Sequence, residues 1–307
     1  MAKVAVIGVV GRTNAGKSTL VNQLVGEKVS IVSPVEQTTR NTVRGIVSDP
    51  RGQLVLLDTP GLHKAVGTLG TLLNRMARRS AAGTDVTCVV FDAAQEPQLE
   101  DIGWMQRVAK ERPSKVVFVL NKADRSPFFE TMYREAWAEI VGFAPLTFQL
   151  SWVKAIATTA GGAKAVKDAL FDFAEEGEPL FDDDIVTDYP RKLAIADSIR
   201  EKYLAKMHQE VPHEMGILVK KIREVGKGKG EEVWEVDVDV LVNRASQKPI
   251  VIGKGATTVK YVRKCAEREL SDIFGVKVEL AIWVRVEPNW MKNERLLTEM
   301  GYLGGLV

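Results

Sequence analysis

The chain has 307 residues, 45% hydrophobic and 27% charged, a globular composition on a length that suits two cores better than one. Its formal net charge of +2 excludes a polyanion binder that works by overall charge alone. With only Cys88 and Cys265, far apart and without metal-ligand spacing, no structural disulfide is expected, and no run approaches the ~18–20 apolar residues that cross a bilayer, so a soluble, cytoplasmic protein is expected.

Residues 4–10 are almost continuously apolar and pass straight into a glycine-rich loop. They read as a first buried strand rather than a secretory signal. The loop, Gly11-Arg12-Thr13-Asn14-Ala15-Gly16-Lys17-Ser18, has the spacing G-x-x-x-x-G-K-[ST]. Glycines at its two ends let the backbone curl so that successive N–H groups face a phosphate, and the helix expected over 17–25 adds its positive end. Lys17 is the expected cation for β- and γ-phosphates, and the Ser18 hydroxyl is placed to ligate Mg²⁺. Gly11, Asn14, Ala15, Gly16, Lys17, Ser18 and Thr19 are the expected nucleotide contacts of this loop.

The next apolar run, 54–57, ends at Asp58-Thr59-Pro60-Gly61. A carboxylate at the end of a buried strand, downstream of a phosphate loop, suits a second Mg²⁺ partner, and the N–H of Gly61 can report on a γ-phosphate. Between the two lies Gln37-Thr38-Thr39-Arg40, where a threonine can complete the metal shell only when a γ-phosphate is present. Further apolar runs at 86–91, which contains Cys88, and at 116–120 alternate with helix-like stretches at 69–82, 98–111 and 128–141. This order predicts a doubly wound, mostly parallel α/β sheet of the P-loop NTPase type, with its ligand loops at the carboxyl ends of the strands.

After 116–120 comes Asn121-Lys122-Ala123-Asp124. The Asp124 carboxylate can accept from both N1–H and the exocyclic amine of guanine, a donor pair that adenine lacks. Lys122 can lie along the ring, and Asn121 can tie this loop to the phosphate loop. Together the three motifs specify GTP, where the first alone specifies only a nucleoside triphosphate. A kinase using ATP conflicts with Asn121–Asp124.

Residues 175–184 hold six acids and no base, and the pattern changes beyond them. A G domain over 1–176, an acidic linker over 177–190 and a second domain over 191–307 are therefore expected. The second domain reads helix (192–210), strand (214–224), strand (231–242), helix (256–273), strand (276–286), an α+β order. Residues 243–270 carry seven Lys or Arg against two Glu. Gly253-Lys254-Gly255-Ala256 precedes the second helix, and Lys260, Arg263 and Lys264 lie on it. A glycine loop before a basic helix can clamp an RNA backbone. The same residues equally describe a solvated basic helix after a glycine turn.

The motifs together resemble the Era family of ribosome-assembly GTPases, with the resemblance extending over nearly the whole chain. It is carried by SPVEQTTR, LLDTPGLHKAVGTLG and LLNRMARRS in the first half, and in the second by Asp188–Arg191, Glu210-Val211-Pro212-His213 and Pro249–Gly255. It implies a GTP- and GDP-binding, GTP-hydrolysing protein with Mg²⁺. It further implies a type II KH domain that holds 16S-type ribosomal RNA during small ribosomal subunit assembly, and peripheral contact with the cytoplasmic membrane. By the same resemblance Thr39 is the switch threonine and metal ligand, and Ser151-Trp152 stands where the family's guanine-closing Ser-Ala lies. Relatives with an asparagine at the place of Asn14 can hold a monovalent cation such as K⁺ against the phosphates, and Lys17, Asn14 and Thr39 are the expected catalytic set. Asn14 as a simple brace of the loop is the alternative. Three positions depart from the pattern: Thr13 replaces proline, Ala256 replaces the second glycine of G-x-x-G, and the closing loop differs. Leu62 follows Gly61 where Ras-like enzymes carry a water-orienting glutamine, so slow intrinsic turnover is expected. The competing reading is an RNA chaperone that binds GTP with negligible turnover.

Overall fold

The computed structural model describes residues 2–32, 41–60, 83–142, 147–207, 214–227 and 231–302. They form two compact units: the first takes the chain up to residue 30 and on to residue 188, and the second begins at residue 189 and also takes Ile31 and Val32.

The first unit is built on β1 (Ala2–Val10), β2 (Val43–Asp49), β3 (Gly52–Asp58), β4 (Val86–Asp92), β5 (Lys115–Asn121), β6 (Gln149–Lys154) and the short β7 (Glu175–Gly177). The sheet order is β2-β3-β1-β4-β5-β6. β2 runs antiparallel to β3, and the pairings from β3 to β6 are parallel. β1 is shared lengthwise, with β7 antiparallel to Ala2–Val4 and β4 parallel to Ile7–Val10. Helices α1 (Lys17–Val25), α2 (Leu99–Glu111), α3 (Glu130–Val141) and α4 (Ala160–Phe173) cover the two faces. One face packs Leu20, Val21 and Leu24 of α1 and Val166 and Leu170 of α4 against Ile7, Val9 and Leu54. The other packs Trp104 and Val108 of α2 and Tyr133 and Trp137 of α3 against Val89, Phe91 and Phe118. Burial on both sides is why the central strands are apolar at nearly every position.

Edge strand β2 is covered rather than open. Ile46 N–H donates to the Val186 carbonyl at 2.9 Å and Thr187 Oγ1 to the Arg44 carbonyl at 2.6 Å, while Arg44 pairs with Asp188 at 2.9 Å. The Gln53 side chain accepts from the N–H groups of Leu180 and Phe181 and donates to the Phe181 carbonyl. The acidic stretch thus spends its backbone hydrogen bonds on the first unit, which removes an exposed strand edge.

The second unit contains α5 (Arg191–Lys206), β8 (Gly216–Lys227), β9 (Glu231–Val242), α6 (Lys248–Ile252), α7 (Thr257–Phe274), β10 (Lys277–Val286) and α8 (Glu294–Glu299). Its sheet has the order β10-β9-β8, with β9 parallel to β10 and antiparallel to β8. Val236, Val238, Val240 and Val242 alternate into a core shared with Ile195, Ile199 and Tyr203 of α5 and Val262, Ala266 and Leu270 of α7. On the other face Arg223 pairs with Glu235 and Asp237. Among the elements expected from sequence, the helix over 69–82 lies outside the described residues. The helix expected over 192–210 closes at Lys206, where Met207 turns extended as its cap.

Candidate functional site

The loop between β1 and α1 is shaped by close approaches. At Gly11, with φ at +145°, a Cβ would stand 2.3 Å from the Val90 carbonyl oxygen; at Gly16, with φ at +99°, it would stand 2.2 Å from Asn121 Nδ2. Only glycine fits either place. Asn14 is exposed and left-handed at φ 60°, a region asparagine tolerates better than most residues. Helix α1 starts with no side-chain cap and no acid in its first turn. Its first N–H groups and positive dipole end therefore face the loop, ready for an anion.

Lys17 and Asp58 are both buried at the floor of this loop. Lys17 Nζ donates to the Arg12 carbonyl at 2.7 Å. Burial lowers its pKa from 10.5 to about 8, against the opposing pull of Asp58. Burial also raises the pKa of Asp58, which Ser18, Lys17 and Ser30 draw partly back. Neither Asp58 oxygen makes a well-formed hydrogen bond among the described residues. A buried carboxylate with idle oxygens, beside the serine that follows Lys17, is a donor set that suits a small divalent cation. Thr59 Oγ1 donates to the Val9 carbonyl at 2.9 Å and holds the Asp58-Thr59-Pro60 turn against β1. Gly61, Leu62, Thr38 and Thr39 lie outside the described residues.

Asn121 ends β5 and links three segments. Its Nδ2 donates to the Ala15 carbonyl at 2.9 Å, and its Oδ1 accepts from Ala157 N–H at 3.0 Å. Ala123 N–H donates to the Ala155 carbonyl at 3.0 Å. Lys122 is left-handed at φ 65°, and its Nζ reaches Asp92 Oδ2 at 2.6 Å. Asp124 is exposed and has no hydrogen bond or ion pair among the described residues. The structure thus gathers Ala15, Gly16, Asn121 and Lys122 at the carboxyl edge of β1, β4 and β5, with Lys17 and Asp58 packed beneath the same loop.

Ser151 and Trp152 require a correction. Both lie inside β6, paired with Val117 and Phe118 of β5. Trp152 packs edge-on against the Phe118 ring at 4.8 Å, beneath Arg134. The loop that meets the base motif is Ala155–Ala157, just after β6. Its sequence signal is the Thr159 N-cap of α4, which accepts from Gly162 N–H and marks where the loop must end. The partners of Arg12 and Lys122, namely Asp92 and Asp101, also escaped the sequence reading.

In the second unit the loop from Gly253 to Ala256 connects α6 to α7. Gly253 and Gly255 have φ of +77° and +62°, and Ala256 is itself left-handed at φ 62°, ψ 26°. Lys254, Lys260, Arg263 and Lys264 are exposed on this loop and on α7. A mostly apolar cavity of about 680 Å³ lies alongside, lined by Lys248, Pro249, Ile250, Ile252, Gly253 and Lys254 with Ala245. A flat apolar floor edged by lysines suits an unstacked base with its phosphate.

Residues 6–122 match the family described as 50S ribosome-binding GTPase, and residues 218–291 match the KH domain. The chain is 34% identical over 296 residues to the GTPase Era of Nostoc sp., covering 96% of this chain and 88% of that protein. It is 33% identical to the GTPase Era of Caldanaerobacter subterraneus subsp. tengcongensis, covering 96% of each. Among solved structures it is similar to Era in complex with MgGDPNP and nucleotides 1506–1542 of 16S ribosomal RNA. That match has a TM-score of 0.86 and 32% identity, over 98% of this chain and 99% of the other. An Aquifex aeolicus Era variant bound to GDP·AlF4⁻ matches at the same score, identity and coverage.

A polyphosphate held by Lys17 would need its protonated form, and the pKa of this lysine is about 8 in the free protein. Affinity should therefore fall as pH rises through 8, with proton uptake on binding, seen as a buffer-dependent heat in calorimetry above that pH. In the free protein the same lysine is a penalty below pH 8 that is relieved between about 8 and 10.5, where the unfolded chain still holds the proton. Ala256→Gly removes left-handed strain at the cost of a looser unfolded chain, and should raise the second unit's stability in urea unfolding by about 0.5–1 kcal/mol.

Proposed function

Because the chain belongs to the Era family of GTPases, we propose that it cycles between GTP- and GDP-bound states and holds small-subunit ribosomal RNA with its second unit during assembly of that subunit. The observation that carries this reading is a likeness over both units at once. The Era structure that binds a GTP analogue together with 16S ribosomal RNA aligns with this chain nearly end to end.

In this reading the uncapped start of α1 and the curled backbone of Gly11–Gly16 receive the β-phosphate, and Lys17 neutralises the terminal phosphates. Magnesium fits Ser18 and the idle Asp58 carboxylate, with Thr39 as the further ligand; once bound, it neutralises charge developing on the phosphates. Asp124 accepts the two donors of guanine, and an adenine there would leave the carboxylate facing an acceptor. Asn121 holds the base loop, the phosphate loop and the Ala155–Ala157 loop in one arrangement. Position and charge suffice for phosphoryl transfer, which asks little covalent chemistry of the protein.

A monovalent-cation site at Asn14, exposed and left-handed within the phosphate loop, belongs to the same reading. Multiple-turnover phosphate release should then be faster in K⁺ than in Na⁺, with Asn14→Ala removing the difference. Equal rates in both salts would dismiss the cation, and absent turnover in either salt, with RNA added, would favour the chaperone reading. For the RNA part, Lys254, Lys260, Arg263 and Lys264 meet phosphates. Lys260→Glu with Lys264→Glu should weaken RNA binding and reduce its salt slope by about two counterions. Sequencing of RNA crosslinked to the protein should return the 3′ end of the small-subunit RNA; enrichment of unrelated RNA would refute this assignment. Peripheral contact with the cytoplasmic membrane belongs to the same reading and is tested by flotation with vesicles. No helix among the described residues is long and apolar enough to cross a membrane.

A further inference from the structure

Beneath the base and phosphate loops lies a cluster of charges that phosphate binding does not by itself require. Asp92 ends β4 and is 2% exposed; Asp101, in the first turn of α2, is 0% exposed. Asp92 Oδ2 receives Lys122 Nζ at 2.6 Å and lies 3.3 Å from Arg12 Nη2. Arg12 Nε also donates to Asp101 Oδ2 at 3.1 Å, and its Nη2 to Gln95 Oε1 at 2.9 Å. Asp101 is fixed in turn by Gln98 N–H at 3.0 Å, and the Tyr133 hydroxyl lies 3.1 Å from both Asp101 Oδ2 and the Asp92 carbonyl.

Two cations from different motifs therefore converge on one buried oxygen. Arg12 belongs to the phosphate loop and its carbonyl is where Lys17 rests; Lys122 belongs to the base motif. Being of like charge they repel each other, so an attractive link between them runs through Asp92. Two acids balance two bases in the cluster, and neutralising either acid leaves an uncompensated positive charge out of water. With its ammonium held at Asp92, the flexible stem of Lys122 is anchored at both ends, which restricts its rotamers.

We propose that Asp92 is a positioning residue for base selection: it fixes Lys122 and, through Arg12, sets the phosphate loop in register with it. The inference rests on the guanine reading of the site. Because Asp101 holds Arg12 but not Lys122, the two acids should differ in what they control. Asp92 should govern the choice of base, and Asp101 only the grip on phosphate.

The test measures GDP affinity, and ADP affinity by competition, on the full chain. Asp92→Asn keeps the shape and removes the charge, and should reduce the preference for GDP over ADP by about tenfold. Asp101→Asn should weaken both nucleotides together and leave their ratio within about twofold. A second measurement does not need the Asp92 variant to fold. A double-mutant cycle of Arg12→Gln and Lys122→Gln, read in GDP affinity, should show coupling of about tenfold between side chains that do not attract directly. An unchanged ratio in Asp92→Asn, an equal change of ratio in Asp101→Asn, or an additive cycle would overturn the proposal. A wild-type chain with no preference for GDP would instead remove the guanine reading on which it stands.

Discussion

The site depends on one amide. Asn121 uses its nitrogen on the carbonyl of Ala15 and its oxygen on the N–H of Ala157, so three loops from distant parts of the chain share a single planar group. Both bonds are buried, where an unmade hydrogen bond costs about 1–3 kcal/mol. The contact also explains Gly16 more fully than the phosphate does, since any side chain there would collide with the asparagine. A smaller or charged residue at 121 would lose both bonds, leaving the base loop tied to the Ala155–Ala157 loop only through Ala123 and to the phosphate loop only through Asp92.

Around that brace the free protein stores electrostatic tension. Lys17 and Asp58 have pKa values displaced in opposite senses, each chiefly because burial disfavours its charged form. The lysine rests on a carbonyl oxygen of its own loop, and the carboxylate makes no well-formed hydrogen bond among the described residues. A phosphate with a divalent cation would supply what each lacks. Such binding would be favoured by relief of an existing penalty as well as by new contacts, in keeping with perturbed ionisation gathering at working sites.

What the sequence discloses follows from burial. The strands around 4–10, 54–57, 86–91 and 116–120 stand out because both faces are covered, leaving nearly unbroken apolar runs. β6 does not stand out, since it is a half-buried edge strand reading Gln-Leu-Ser-Trp-Val-Lys, and α4 is masked by its opening Ala160-Gly161-Gly162. Missing β6 placed the closing loop at Ser151-Trp152, several residues too early. Motif glycines are legible because a steric demand admits one residue type. Asp101 is not: it meets Arg12 from 89 residues away, and nothing local to either residue announces the pairing. Ala256 lies between these cases, visible as a departure from a glycine pattern yet left-handed all the same.

Composition alone would make residues 177–190 a slack, water-filled tether, and fourteen extended residues reach roughly 46–50 Å. The structure leaves far less rope. Asp188 is still ion-paired to Arg44 on β2, and α5 already begins at Arg191. Of the two residues between, Tyr189 is tied by its hydroxyl to Asp197 at 2.7 Å, and Pro190 has its φ set by its own ring. The three steps from Asp188 to Arg191 therefore reach about 10–11 Å at most. Most of the acidic run is thus a strap laid on the first unit's own sheet, and not a tether.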